Sequence, residues 1–247
     1  MLSQLKIHLE DENKVLGYSS GSIFQGLIME MLDPDYGEQL HHLSVNPYSQ
    51  YIKRTKKGVE WIITTLNQEA YDKIITPLLD VDQIDLKKKE VKLSINDREL
   101  KKLSRQAFVE KHLFEQEEDN RLIFYFNSPT AFKRDNRYVF LPEVSLIFQS
   151  LMKKFDATGD DKIFTPELLE EINRSVYISN YRLKSALFYL EKTKIPGFMG
   201  RLELRSHTHK EVRRILNLLN QFSAYAGVGI KTSMGMGGVS VGGEQNG

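Results

Sequence analysis

The chain switches repeatedly between two hydrophobic periods. In "LKIHLE" (5–10), Leu5, Ile7 and Leu9 fall on one face and Lys6 and His8 on the other, the alternation of a half-buried strand. "SSGSIFQGLIMEML" (19–32) changes to helical spacing, with Ile23, Phe24, Leu27, Ile28, Met31 and Leu32 in one stripe. "PYSQYIKR" (47–54) and "VEWIITTL" (59–66) read as strands paired through "TKKG", where Gly58 accepts positive φ. "QEAYDKIITPLL" (68–79) predicts a second helix and "KEVKLSI" (89–95) a returning strand. The order βαββαβ is that of a ferredoxin-like unit.

Beyond the polar stretch "FEQEEDN" (114–120) the order repeats. "RLIFYF" (121–126) predicts a buried strand. "PEVSLIFQSLMKKF" (142–155) predicts a helix striped with Val144, Ile147, Phe148, Leu151, Met152 and Phe155, with Pro142 in its first turn. "RLKSALFYLEK" (182–192) and "MGRLELRS" (199–206) read as strands joined through "TKIPGF". "HKEVRRILNLLNQFSAY" (209–225) is a helix with Val212, Ile215, Leu216, Leu219 and Phe222 inward, and "MGGVSV" (236–241) the last strand. The expected fold is α+β: two tandem ferredoxin-like (RRM-like, βαββαβ) domains, 1–118 and 119–247, with a glycine-rich loop near the C-terminal end. Residues 155–181 interrupt the second unit. There "DATGDDKIFTPE" (156–167) has acids at the first, fifth and last positions of a calcium loop, but Asp161 stands where that loop needs glycine, so a solvated loop is expected.

Composition narrows the class. The 247 residues are 40% hydrophobic and 27% charged, enough for a packed core. No apolar run approaches the ~18 residues of a membrane span, and charge follows the first residues too soon for a signal peptide. The absence of cysteine excludes disulfides and thiolate zinc sites and fits a reducing compartment. A cytoplasmic protein without metal, cofactor or membrane contact is expected. The net charge of +1 does not announce a nucleic-acid binder, but cations cluster in "IKRTKKG" (52–58), "DLKKKEVK" (85–92), "FKRDNR" (132–137) and "RSHTHKEVRR" (205–214). Each such run alone reads as a solvated face.

"AYAGVGIKTSMGMGG" (224–238) holds Gly227, Gly229, Gly235, Gly237 and Gly238. Lying after a helix and before a strand, it matches neither a dinucleotide fingerprint nor a P-loop. Its backbone can come close to a ligand, and successive N–H groups can form an anion-binding nest around Lys231. On strand 199–206, Arg201 and Arg205 alternate with Leu202 and Leu204 and point outward from the kind of sheet that carries single-stranded RNA, although ordinary surface charge reads as well. "LHHLSVNPYS" (40–49) puts two histidines at a helix end, where they serve equally as dipole partners. Trp61, with Val59 and Ile63 on its face, is expected in the core.

The glycine segment after "LLNQFSAY" resembles the glycine-rich loop of the CRISPR-associated endoribonucleases of the RAMP superfamily, which cut repeat transcripts into guide RNAs. "NSPTAFKRDNRYVFLPEVSLIFQSLMKKFD" (127–156), "IPGFMGRLELR" (195–205) and "FQGLIMEMLDPDYGEQLHHLSVNPYSQYI" (24–52) resemble further segments of that family in the right order. The resemblance covers nearly the whole chain and points to the processing enzymes that accompany type III interference systems. It implies two ferredoxin-like domains, one repeat RNA in the cleft between them, and metal-independent cleavage by 2′-hydroxyl attack, leaving a 2′,3′-cyclic phosphate and a 5′-hydroxyl. It makes His41 the catalytic position and His42 a neighbour that contacts RNA or substitutes in part. Met29 falls at a tyrosine position of the family and Asn46 at a lysine position. Periodicity turns Met29 away from the buried stripe, toward the RNA cleft, and Lys53 and Arg54 stand in reserve for the missing cation. RNA holding is expected from Lys231 and the five glycines, then from Lys133, Arg134, Arg137, Arg201 and Arg205. The implied partners are repeat RNA, a type III interference complex in transient contact, and a second copy of the chain. The alternative within the superfamily is a noncatalytic guide-RNA-binding subunit.

Overall fold

A computed structural model describes residues 1–11, 13–56, 58–115, 120–160, 162–190 and 193–242. The first half begins with β1 (Leu2–Leu9), whose alternate side chains are fully buried. Helix α1 (Gly21–Met31) and helix α2 (Pro34–His42) follow, then the hairpin of β2 (Tyr48–Thr55) and β3 (Gly58–Thr65). A helical run of α3 (Gln68–Ala70), a π-turn (Tyr71–Ile75) and α4 (Thr76–Leu79) leads to β4 (Gln83–Leu86) and β5 (Val91–Leu103). After α5 (Arg105–Glu110) the second half runs through β6 (Arg121–Thr130), the small hairpin of β7 (Phe132–Arg134) and β8 (Arg137–Val139), α6 (Val144–Ala157) and α7 (Pro166–Ser175). It ends with β9 (Val176–Leu190), β10 (Thr193–Ser206), α8 (Lys210–Ala226) and β11 (Val239–Val241).

Both halves form the same antiparallel sheet. The first has the order β2-β3-β1-β5, with β4 added beyond β5; the second has the order β11-β6-β10-β9. In each, the first and third core strands are central and the fourth lies beside the first, the ferredoxin-like arrangement. The first core gathers Phe24, Ile28, Tyr36, Leu40, Trp61 and Ile74 under β1–β3. The second gathers Phe124, Phe148, Leu151, Phe155, Leu202 and Phe222, and it also takes in Leu2, Leu66 and Phe108 from before β6, so the halves share apolar contact. Among the described residues no helix is long and apolar enough to cross a membrane.

Several boundaries differ from the sequence reading, and the reasons are local. Helix α2 was not anticipated: Asp33 caps it by accepting from the Asp35 N–H at 3.0 Å, and Pro34 opens it, so the histidines end a second helix rather than follow the first. Pro142 lies ahead of α6, which is flanked by Glu143 as N-cap. "TKIPGF" is strand rather than turn, because β9 and β10 pair from Val176–Ser206 to Leu190–Thr193, and β9 begins inside the stretch expected to be an insertion. The 118/119 domain boundary, Asp161 and residues 191–192 lie outside the described residues. In the segment 156–164, the Asp156 carboxylate accepts the N–H groups of Ile163 and Phe164 at 2.8 and 3.1 Å.

Candidate active site and RNA interface

The glycine-rich segment joins the halves. It leaves α8 at Gly227, forms a short 3-10 turn (Thr232–Met234) and enters β11. Most of it is buried; Gly229, Ile230, Lys231 and Met234 form a half-exposed rim. At Gly237, φ is +64° and a Cβ would lie 2.0 Å from the Val228 oxygen. At Gly235, φ is +108° and its backbone touches Gly21 of α1, where a Cβ on Gly21 would lie 2.7 Å from the Gly235 Cα. Here glycine is required by backbone against backbone. Gly227 and Gly229 are likewise crowded by protein atoms, and Gly238 by the Tyr51 ring.

This corrects the anion-nest reading of the five glycines. The N–H groups of Gly229, Ile230, Gly237 and Gly238 donate to Ser150 Oγ, the Ala131 and Pro129 oxygens, and Ser128 Oγ, at 2.8 to 3.0 Å. Those donors face protein, and the glycines shape the segment rather than open it.

From the first half, Gln50 holds the turn. This fully buried amide sits on the helix-facing side of β2, and its Nε2 donates to the Gly21 oxygen at 2.7 Å and the Ser233 oxygen at 3.1 Å. Its Oε1 accepts from Trp61 Nε1 at 3.1 Å, which fixes the amide's orientation and accounts for the buried tryptophan. Beside it Tyr48 is almost completely buried; burial pushes its phenol up to about 12, against the opposing hydrogen bonds of Ser233 and Gln25. Burial also raises Tyr36, whose hydroxyl finds no hydrogen-bond partner among the described residues. Both phenols stay protonated near neutral pH, and both belong to the buried core of the first half.

His41 and His42 close the last turn of α2, both exposed. His42 Nε2 lies 4.0 Å from Glu38 Oε1 in a solvent-exposed pair of little energetic weight. Four residues past His42, Asn46 Nδ2 donates to Ser233 Oγ at 3.4 Å, which ties the histidine turn to the glycine segment. The Asn46 Oδ1 is buried and has no partner among the described residues.

Other candidates are separated from this junction. Lys53 does not join His41. Alternate residues of β2 face opposite ways, so Gln50 and Ile52 meet α1 while Tyr51 and Lys53 face the open side of the sheet. There Lys53 lines a cleft of about 620 Å³ with Lys6, Glu60, Glu99, Lys101 and Lys111, and its Nζ is 4.0 Å from Glu60. Arg54 donates to the Lys14 oxygen at 2.9 Å and to the Leu16 oxygen, holding the loop after β1. Met29 does not point into a cleft: it packs on the first core, its Cε 3.4 Å from where a Cβ on Gly37 would stand.

The basic candidates divide in two. Lys133 and Arg137 are exposed on the β7–β8 hairpin, whose turn residues Asp135 and Asn136 both have positive φ. Arg134 on the same hairpin is instead held by Glu143 at 2.7 and 3.1 Å. Arg201 and Arg205 share Glu203, at 2.5 and 3.8 Å, and this neighbour holds the Arg201 guanidinium above its ordinary range through hydrogen bond and charge. Lys231, in left-handed conformation at φ +54°, leans toward the Met234 sulfur at 3.8 Å from the half-exposed rim. Sequence reasoning missed Gln50, Tyr48 and Ser233. The signal for Gln50 was its place between Tyr48 and Ile52 on the buried period of a strand.

Paired ferredoxin-like sheets joined by a glycine-rich segment after the last helix are the architecture that the resemblance to RAMP-superfamily RNA-processing proteins implies. The sequence pattern of the family described as CRISPR-associated endoribonuclease Cas6 matches residues 124–239. A protein of that description from Streptococcus thermophilus is 33% identical over 223 residues, covering 88% of this chain and 89% of the relative. Another from Mycobacterium tuberculosis is 34% identical over 224 residues, covering 90% and 71%. Among solved structures, a Cas6 product complex superposes with a TM-score of 0.80 at 20% identity, covering 98% of this chain and 99% of that one. Thermus thermophilus Cas6 gives a TM-score of 0.73 at 22% identity, covering 98% of each. The chain belongs to the Cas6 family of CRISPR-associated endoribonucleases, which process CRISPR repeat RNA.

Proposed function

We propose that the chain cleaves CRISPR precursor RNA within the repeat without metal, with His41 as the proton-transfer group. The 2′-oxygen gives up its proton and bonds to the adjacent phosphorus, the bond from phosphorus to the 5′-oxygen breaks, and that oxygen takes up a proton. The products are a 2′,3′-cyclic phosphate and a 5′-hydroxyl. An imidazole suits such transfers near neutral pH. His42 is its neighbour on the RNA side, and Asn46 positions the turn. Lys231 on the rim, with Lys133 and Arg137 on the β7–β8 hairpin, supplies phosphate contacts, and Arg201 and Arg205 present a second basic strip.

The observation that carries this reading is the Asn46–Ser233 hydrogen bond, which ties the loop that follows the two histidines to the glycine segment. That segment is rigid enough to hold a ribose-phosphate in line with an incoming 2′-oxygen. The related CRISPR-associated endoribonucleases, and Cas6 structures solved as product and substrate-mimic complexes, support the same substrate class.

The test incubates the protein with repeat RNA in EDTA. Cutting at one site is expected, with a cyclic-phosphate terminus by mass spectrometry, and a 2′-deoxy sugar upstream of the cut should abolish it while binding persists. Cleavage only with added magnesium overturns the mechanism. Tight binding without cleavage by the wild type would favour a guide-RNA-holding subunit.

A further inference from the structure

Lys154 is a cation inside the second core. It sits on α6 and is 8% exposed, among Leu151, Met152 and Phe155. Its ammonium donates to the Ala226 oxygen at 3.0 Å, the Gly227 oxygen at 3.1 Å and Thr232 Oγ1 at 3.2 Å. An ammonium has three protons, and all three are engaged. The first two acceptors are carbonyls at the C-terminal end of α8, where the helix dipole is negative; the third belongs to the glycine-rich segment. One turn earlier on α6, Ser150 Oγ accepts the Gly229 N–H at 2.9 Å. Helix α6 thus grips the segment at residues 226, 227, 229 and 232.

A lysine is a poor choice for stability at this place. Its three acceptors are neutral oxygens, and desolvating a cation costs several kcal/mol that an aliphatic side chain would not incur. Burial pushes the ammonium down to about 7. What the lysine supplies, and a methionine could not, is a fixed distance between the end of α8 and Thr232, which sets the first bend of the segment. The methyl group of Thr232, held by the same contact, is where a Cβ on Gly227 or Gly237 would fall, at 2.9 and 3.0 Å.

We infer that Lys154 is a positioning residue for RNA: through Ala226, Gly227 and Thr232 it sets the glycine-rich segment in the shape that receives the repeat. This rests on the reading of that segment's rim as an RNA-contacting surface. The ammonium never touches RNA. It acts from behind the segment, opposite in sense to Gln50, which anchors the far side of the same turn.

The test compares Lys154→Met, which keeps the stem and removes the three donors, with Met152→Ala, a fully buried neighbour on α6 whose side chain gives the segment no hydrogen bond. Repeat-RNA affinity, single-turnover cleavage at saturating RNA, thermal unfolding and amide hydrogen exchange over residues 227–238 are measured for each. Lys154→Met should weaken binding about tenfold, a difference of about 1.4 kcal/mol, and speed exchange in the segment, with saturated cleavage changed by less than about threefold. Met152→Ala should lower the unfolding midpoint yet leave affinity and segment exchange as in wild type. Equal losses of affinity in both variants, or unaltered exchange in Lys154→Met, would overturn the inference. Should Lys154→Met fail to fold, Thr232→Val removes one acceptor with little change of shape, and a two- to threefold loss of affinity is expected from a neutral hydrogen bond of this size. Failure of the wild type to bind repeat RNA would overturn the functional reading, while hydrogen exchange would still decide whether Lys154 shapes the segment.

Discussion

The glycine-rich segment and the histidine turn meet at one hydrogen bond but are built in opposite ways. The segment is buried, crowded to van der Waals contact, and clamped by Gln50 from one half and Lys154 from the other. The histidine turn is exposed, ends α2 at Leu43 without a glycine cap, and offers two imidazoles to solvent. The contrast matches two different demands of strand cleavage. Holding three atoms in line needs a surface that does not give, whereas moving a proton needs a group that can reach two oxygens in turn. In the proposed mechanism, rigidity is concentrated where RNA would be held, and freedom where the proton would move.

The largest expected effect separates the two regions. His41→Ala should reduce single-turnover cleavage by about 10²–10⁴, the usual range for a general acid or base, while leaving RNA affinity and the unfolding midpoint close to wild type. Gly237→Ala should do the reverse. At φ +64° and 2.0 Å from the Val228 oxygen, the added methyl forces the backbone to shift, for a loss on the order of 3 kcal/mol in stability and a matching loss of affinity. Urea titration with RNA-binding curves checks both. If His41→Ala unfolded the protein, or Gly237→Ala left stability and binding intact, the division of labour would be wrong.

A smaller effect isolates the clamp by pH. In the unfolded chain a lysine keeps its proton to about pH 10.5, whereas burial lowers Lys154 in the folded protein to about 7. Between these values the unfolded state holds one proton more at this site, so stability rises with pH, on the order of 1 kcal/mol per unit. Below pH 7 both states are charged and the contribution is flat. Unfolding free energies at pH 7, 8 and 9 should therefore climb for wild type relative to Lys154→Met, whose site does not titrate. Parallel curves would mean that the α8 carbonyls hold the charge in place and that the ammonium is not strained.

Much of this was legible in the sequence, and what was not has identifiable causes. Both ferredoxin-like units follow largely from hydrophobic period, because β1 and β6 bury alternate residues and α6 and α8 each carry one apolar stripe. The histidine pair was placed at a helix end, although α2 itself was hidden by its weak stripe and marked only by Asp33 and Pro34. The five glycines were read as openness toward a ligand, since sequence shows missing side chains but not what occupies the space they leave. The clamp residues were invisible for a related reason. Lys154 falls in helical register with Ile147 and Leu151, on the buried face, yet a lysine invites a solvent reading. Likewise Lys53 was read as a stand-in for the missing cation beside His41 and Met29 as facing the RNA cleft, whereas β2 pleating turns Lys53 to the open side of the sheet and Met29 packs on the first core.

The smallest effect tests the junction. Asn46→Ala removes the 3.4 Å hydrogen bond to Ser233 and the buried Oδ1 that has no partner among the described residues. Losing a long neutral hydrogen bond costs about 1 kcal/mol or less, and losing an unsatisfied buried oxygen offsets part of that, so stability should change little. Gln50 still holds Ser233 through its carbonyl, so the glycine segment should keep its shape and RNA affinity should stay within about twofold. What should change is the freedom of residues 43–47 and, in the proposed mechanism, the fraction of time His41 would stand at the scissile phosphate. Cleavage at saturating RNA should therefore fall about three- to tenfold, less than for His41→Ala, with little change in affinity. A loss of affinity instead would mean that Asn46 supports the rigid side of the junction, and the two regions would have to be treated as one.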